Sequence, residues 1–287
     1  MKKLLLISMT CFLLVITSAC GNGNGAFKDK KTITIGMNNY TENIAYTYVW
    51  KHILEDRGYK VRTVFLEKAG VWVGTANDDI DISFAPWLPT TDAPFYKKYK
   101  DQVNIEDPWL KNARLGFAVP SYMKDVNTTE DLAKVASDVD NKVIGIDPGS
   151  SINGLAEQAL KDYNLKSYTL VKSSEAAMLS ELRKAYDAKK PIVVTMWNPH
   201  WAFADFDIKY LKDPKNSFGD PDNIYTMTSK EFKKTNPQVI KWMNNAQMND
   251  KLISPLLSQV EKSSNPEEAA QEWVKKHKKL VDSWTKD

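Results

Sequence analysis

From Thr32 onward, short β-branched runs alternate with stretches of helical periodicity, and the links between them are a few residues long. This alternation constrains the chain most, because strand–helix–strand units with short links pack as sheets flanked by helices. The spacing predicts a strand over 32–37, a helix over 41–57 stopped by Gly58, a strand over 60–65, a short helix over 69–77 and a strand over 80–85. The apolar run 114–120, ended by Pro120, reads as a strand crossing into a second lobe, where Thr128-Thr129-Glu130-Asp131 opens a helix. Strands follow over 143–146, 168–172, 191–196 and 208–211. A helix led in by the loop 147–154 ends near Asp162, and another covers 175–188. Near Asp220 the chain is expected to return to the first lobe. The rest reads as helical, with new helices opening at Asn236-Pro237 and Asn265-Pro266. Trp273, Leu280, Val281 and Trp284 share a helical face and are assigned to packing.

The 287 residues suffice for two modest lobes. A net charge of +3, part of it on Lys2 and Lys3, excludes the basic footprint of a nucleic-acid binder. Residues 1–19 read as a lipoprotein signal peptide: two lysines, then an apolar run over 4–16 too short for a membrane span. Thr17-Ser18-Ala19-Cys20-Gly21 places small residues before Cys20, which is expected to become the lipidated N-terminus. Cys11 leaves with the leader, so no intrachain disulfide is expected. Residues 20–31 read as a flexible tether. The protein is therefore expected outside the cytoplasm, anchored to the cell membrane through Cys20.

Nine tryptophans are many for this length, and their placement matters more than their number. Pro191-Ile192-Val193-Val194 delivers Trp197-Asn198-Pro199-His200-Trp201 to a strand end, and 80–85 delivers Pro86-Trp87-Leu88-Pro89 in the same way. Tyr40 follows the first strand. Ligands of α/β folds bind at such ends. Tyr40, Trp87 and Trp197 are thus expected to meet as an aromatic box for a quaternary ammonium ion, which offers no N–H to an acceptor but is attracted to aromatic faces. Trp72, on a predicted helix, and Trp201, beside the loop, are open to packing or ligand contact. Trp50, Trp109 and Trp242 read as structural.

Asn39-Tyr40-Thr41-Glu42, Ala85-Pro86-Trp87-Leu88-Pro89-Thr90-Thr91, Asp147-Pro148-Gly149-Ser150-Ser151 and Trp197-Asn198-Pro199-His200-Trp201, in this order, resemble the ligand loops of the glycine betaine/choline substrate-binding family of ABC importers. The resemblance covers essentially the whole mature chain. It implies a two-lobed α/β fold of the periplasmic-binding-protein-like type II class, each lobe a mixed sheet flanked by helices, with the cleft between lobes. Lobe 1 is expected over 32–115 and 221–287, and lobe 2 over 116–220. It also implies a monomeric, non-enzymatic receptor that hands a quaternary ammonium compound (glycine betaine, choline or carnitine) to an ABC permease, with no cofactor and no metal. In betaine-binding relatives the ligand carboxylate meets amides of the loop matching Ser151 and Ile152, assisted by a His at the position of Asp92. Asp92 and Glu42 add negative charge and lean toward choline, while Ser151, Ile152, Asn153 and His200 could still supply donors.

Another small solute, such as an amine, metal or peptide, could use the same fold, and an exported hydrolase is the rival class. The chain has only His52, His200 and His277, none in a recognisable nucleophile motif, and His200 has no neighbouring His to share a zinc ion.

Overall fold

The structure, a computed structural model, describes residues 32–286. The expected signal peptide, Cys20 and the tether lie outside the described residues. The chain begins with β1 (Thr32–Met37), α1 (Thr41–Glu55), β2 (Lys60–Phe65), α2 (Lys68–Ala76), β3 (Ile82–Ser83), β4 (Trp87–Leu88), α3 (Ala93–Tyr99) and the long β5 (Val103–Pro120). After two 3-10 turns come β6 (Lys142–Ile144), α4 (Ser151–Asp162), β7 (Thr169–Val171), α5 (Glu175–Asp187), β8 (Val194–Asn198), α6 (Ala202–Asp205) and β9 (Ile208–Tyr210). The last part comprises β10 (Asp222–Ser229), α7 (Lys230–Thr235), α8 (Pro237–Asn245), α9 (Asp250–Lys262), α10 (Pro266–Lys276) and α11 (Lys278–Trp284).

The strands are ordered β2-β1-β3-β10-β5-β8-β6-β7, with β4 on β10 and β9 on β5. Parallel pairs (β1 with β2 and β3, β6 with β7 and β8) flank antiparallel ones around β5 and β10, so the sheet is mixed. β5 belongs to both halves. Ala113 pairs with Asp222 of β10, and the very next residue, Arg114, pairs with Asn198 of β8. Asn112, at φ 61°, kinks the strand just before this changeover.

Helix α1 is buried on most sides because β1 and β2 cover one face and α9 and α10 the other. Its Tyr46 stacks on Trp109 at 4.1 Å between ring centroids and meets Phe84 edge-on at 5.0 Å, with Trp50 beside them. Each such pair adds about 0.5–1.5 kcal/mol to the burial of the rings themselves. Helix α2 lies close to β1 because Gly36 and Gly74 leave room for Ile80 between them. A Cβ on either would come within 2.6 and 2.8 Å of the Ile80 Cδ1.

Several expectations need correction. The strand over 80–85 shrinks to β3, because Phe84 gives its carbonyl to the Trp109 indole (3.1 Å) and Pro86 has no amide to give. Trp87 and Leu88, expected just past a strand end, instead form β4 and pair with β10. β5 starts eleven residues before the expected 114, and β10 occupies the start of the stretch expected to be helical. Both were hidden by buried polar residues that satisfy one another: Glu106 takes Thr228 Oγ1 (3.0 Å) and Lys233 (2.9 Å), while Asp222 takes the amides of Thr90 and Thr91 at 2.6 and 2.8 Å. The strand expected over 191–196 runs over Val194–Asn198, so Trp197 sits in the strand itself. Thr128 and Asp131 form a reciprocal capping box, but on a 3-10 turn.

Candidate functional site

The C-terminal ends of β1 and β6, the irregular 84–92 stretch and the end of β8 converge on one narrow pocket with a cavity volume of about 30 Å³. Tyr40, Trp87 and Trp197 all line it, as do Glu42, Lys68, Ser151 and Ile152. The three rings expected to form a box are thus brought together. Tyr40 and Trp197 stand edge to face, 5.9 Å apart at 65°.

Each ring is fixed by a polar partner. The Tyr40 hydroxyl donates to both oxygens of Asp147, at 2.8 and 3.0 Å. Burial and the Asp147 charge push the phenol well above its usual range, so Tyr40 stays neutral. The Trp197 indole donates to Glu42 Oε2 at 3.0 Å. Trp87 is held through its backbone, its amide donating to Asp92 Oδ2 at 2.9 Å.

Behind Trp197 lies a second acid. Tyr40 occupies the N-cap position of α1 without capping it by side chain, and Glu175, the first residue of α5, does so from across the site. It accepts from the Thr41 hydroxyl (2.8 Å) and amide (3.3 Å), placing negative charge at the positive end of α1. His200 completes the arrangement. Its Nδ1 accepts from the Ala202 amide (3.0 Å), so the proton sits on Nε2, 3.2 Å from Glu175 Oε1, to which it donates. Burial first, and the Glu175 charge second, raise the Glu42 carboxyl to about 8, with the Trp197 indole and Lys68 opposing the rise.

The same pocket also holds a basic group. The Lys68 ammonium donates to Ala85 O (3.1 Å) and Asp92 Oδ2 (2.9 Å), and both side chains of the pair are buried. The other Asp92 oxygen accepts from Ser151 Oγ at 2.7 Å. Ser150, the N-cap residue of α4, makes no side-chain cap bond, so the first amides of α4 are left for other partners where Ser151 and Ile152 line the pocket.

His200 and Asn153 do not line this pocket. Asn153 spends its amide on the carbonyls of Ile146 and Asp147, at 3.0 and 2.7 Å, and so shapes the loop entering α4. Asp92 lies behind the pocket wall, with its carboxylate taken up by Lys68, Trp87 and Ser151. Trp72 stacks with Phe95 and Tyr99, and Trp201 packs beside His200 and Phe206. Neither lines the pocket. Sequence reasoning missed Lys68. The signal was there, since a lysine opening a helix stands at the unfavourable end of the dipole, and such local conflicts mark functional positions.

Among the described residues, no three His, Cys, Asp or Glu are grouped to hold a metal, and no helix is long and apolar enough to cross a membrane. Over 89% of this chain and 100% of its own, the structure of lactococcal OpuAC, closed on glycine betaine, superposes with a TM-score of 0.84 and 36% identity. A choline-binding protein of an ABC transporter, in complex with choline, gives 0.82 at 25% identity over 88% of this chain and 91% of its own. The glycine betaine/carnitine transport binding protein GbuC of Listeria monocytogenes is 41% identical over 145 residues, 50% of this chain and 48% of that protein. The match thus spans about half the length of this curated relative. These relatives are binding proteins rather than enzymes, and the fold is the expected mixed α/β, periplasmic-binding-protein-like one, its sheet curled and its helices flanking. Residues 31–276 match the family described as the substrate-binding domain of ABC-type glycine betaine transport systems, and the chain belongs to that family.

Proposed function

We propose that the protein is an extracytoplasmic receptor that captures a quaternary ammonium compound between Tyr40, Trp87 and Trp197 and delivers it to an ABC permease. The observation that carries this reading is the convergence of the three rings on one buried pocket. A trimethylammonium group spreads its charge over methyls, and each aromatic face contributes about 0.5–2 kcal/mol. Burying the methyls adds about 0.8 kcal/mol per carbon, which brings micromolar affinity within reach. The open amides at Ser151 and Ile152 suit an anionic or hydroxyl tail.

The lobes are taken as 32–115 with 221–287, and 116–220. The passage of β5 from one ladder to the other between Ala113 and Arg114 supports this division. Four side-chain contacts join the two halves across the site: Tyr40 to Asp147, Thr41 to Glu175, Trp197 to Glu42 and Ser151 to Asp92. Ligand between the rings would hold this closed arrangement, and closure would be what the permease reads. Lipid anchoring through Cys20 rests on the small-residue box preceding it. Calorimetric titration with glycine betaine, choline and carnitine tests the reading. Saturable binding of at least one is expected, and heat-free titrations with all three overturn it.

A further inference from the structure

The basic end of the pocket contains a residue that the motif resemblance does not supply. Lys68 is 4% exposed, and its partner Asp92 is completely buried. An ammonium has three N–H donors. Two are directed at Ala85 O and Asp92 Oδ2, which fix the nitrogen in place, and Lys68 lines the same pocket as the three rings. Asp92 in turn is consumed: its two oxygens accept from Lys68, the Trp87 amide and the Ser151 hydroxyl. The aspartate therefore presents no free negative charge to a ligand. It serves as the counter-ion that allows a lysine to be buried there.

We infer that Lys68 selects for a carboxylate on the ligand, so that this pocket prefers a trimethylammonium zwitterion over a trimethylammonium alcohol. The inference rests on the quaternary ammonium reading above and reverses the lean toward choline drawn from Asp92 alone. A zwitterion lies along the pocket with its cation among the rings on the Glu42 side. Its carboxylate accepts from the third Lys68 N–H and from the amides at Ser151 and Ile152. An ammonium-to-carboxylate hydrogen bond is about twice as strong as a neutral one. A choline hydroxyl brings no negative charge to the ammonium and offers the α4 amides only a neutral acceptor.

The experiment is isothermal titration of the purified protein with glycine betaine and choline, for the natural sequence and for the double variant K68M/D92N. The carboxamide introduced by D92N can still accept from the Trp87 amide and pair with the Ser151 hydroxyl, and the exchange of an ion pair for two neutral groups leaves the net charge of the site unchanged. Glycine betaine is expected to bind the natural protein at least tenfold more tightly than choline. The double variant should lose at least tenfold more affinity for glycine betaine than for choline, with circular dichroism certifying its fold. Tighter binding of choline by the natural protein overturns the inference and needs no variant. An equal loss for both ligands, or no loss for glycine betaine, also overturns it while leaving the aromatic cage in place. Absence of binding by both ligands to the natural protein brings down the cage reading and this inference together.

Discussion

The two ends of the pocket handle buried charge in opposite ways. At the Trp197 end, Glu42 and Glu175 lie close enough to raise the Glu42 carboxyl, and the groups that touch them are dipoles: an indole N–H, a hydroxyl, an imidazole N–H and a helix terminus. At the Trp87 end, a lysine and an aspartate neutralise each other at 2.9 Å. One end therefore keeps an appetite for a cation, while the other is balanced and rigid. Under the proposed reading, a pocket polarised in this way would orient a ligand as well as hold it.

Breaking the balanced end should have the largest effect. K68M alone leaves the buried Asp92 without its cation, and D92N alone leaves the lysine without its anion. Each should destabilise the protein by about 3–5 kcal/mol, and K68M/D92N by much less than their sum. Urea unfolding of the three variants measures this, and additive losses would mean that the pair does not act as a unit. Next comes W197A, expected to lower affinity for every trimethylammonium ligand at least tenfold, about 1.4 kcal/mol, in calorimetry, while circular dichroism stays that of the natural fold. Unchanged affinity would remove Trp197 from the cage.

The acid end makes a pH prediction. With its folded value raised to about 8, Glu42 is largely protonated at neutral pH in the empty pocket. Its contribution to stability is full below the ordinary carboxylate range and is lost as pH rises through about 8. A bound cation favours the ionised form, so ligand binding near pH 7 should release a proton, and affinity should rise severalfold between pH 6 and pH 8. Calorimetry in buffers of different ionisation enthalpy detects the proton. E42Q should abolish both the release and the slope; a slope that survives E42Q would remove Glu42 as its source. The smallest effect is expected of Y40F, which keeps the ring and loses only the bond to Asp147. Affinity should fall about threefold, and a loss as large as that of W197A would show that the hydroxyl, and with it the Asp147 contact, matters more than the ring face.

The aromatic end was readable in the sequence because strand ends announce themselves: β-branched runs stop, and Tyr40, Trp87 and Trp197 stand within a few residues of the stop. The helices were readable for similar local reasons, Asn236-Pro237 and Asn265-Pro266 opening α8 and α10 as expected. What escaped notice depends on partners distant in the chain. Lys68 is explained by Asp92, twenty-four residues away, and the buried acids of β5 and β10 by Thr228 and Lys233 and by the Thr90 and Thr91 amides, all distant in the chain. Glu175 looks like an ordinary first-turn acid of its own helix, and its service to the Thr41 amide of α1, 134 residues away, leaves no local trace.

The junction in β5 carries a mechanical consequence. Ala113 is laddered on one side and Arg114 on the other, and just before this changeover the β10 ladder shifts register across Lys111 and Asn112. Under the proposed two-lobe reading, the joint would swivel through the few backbone torsions around Asn112 and its neighbours, and small angles there would be magnified by the lever arm to the pocket. Spin labels placed on α2 and α4 should therefore report ligand as a shift between two discrete separations, with a glycine inserted after Ala113 blurring them into one broad distribution.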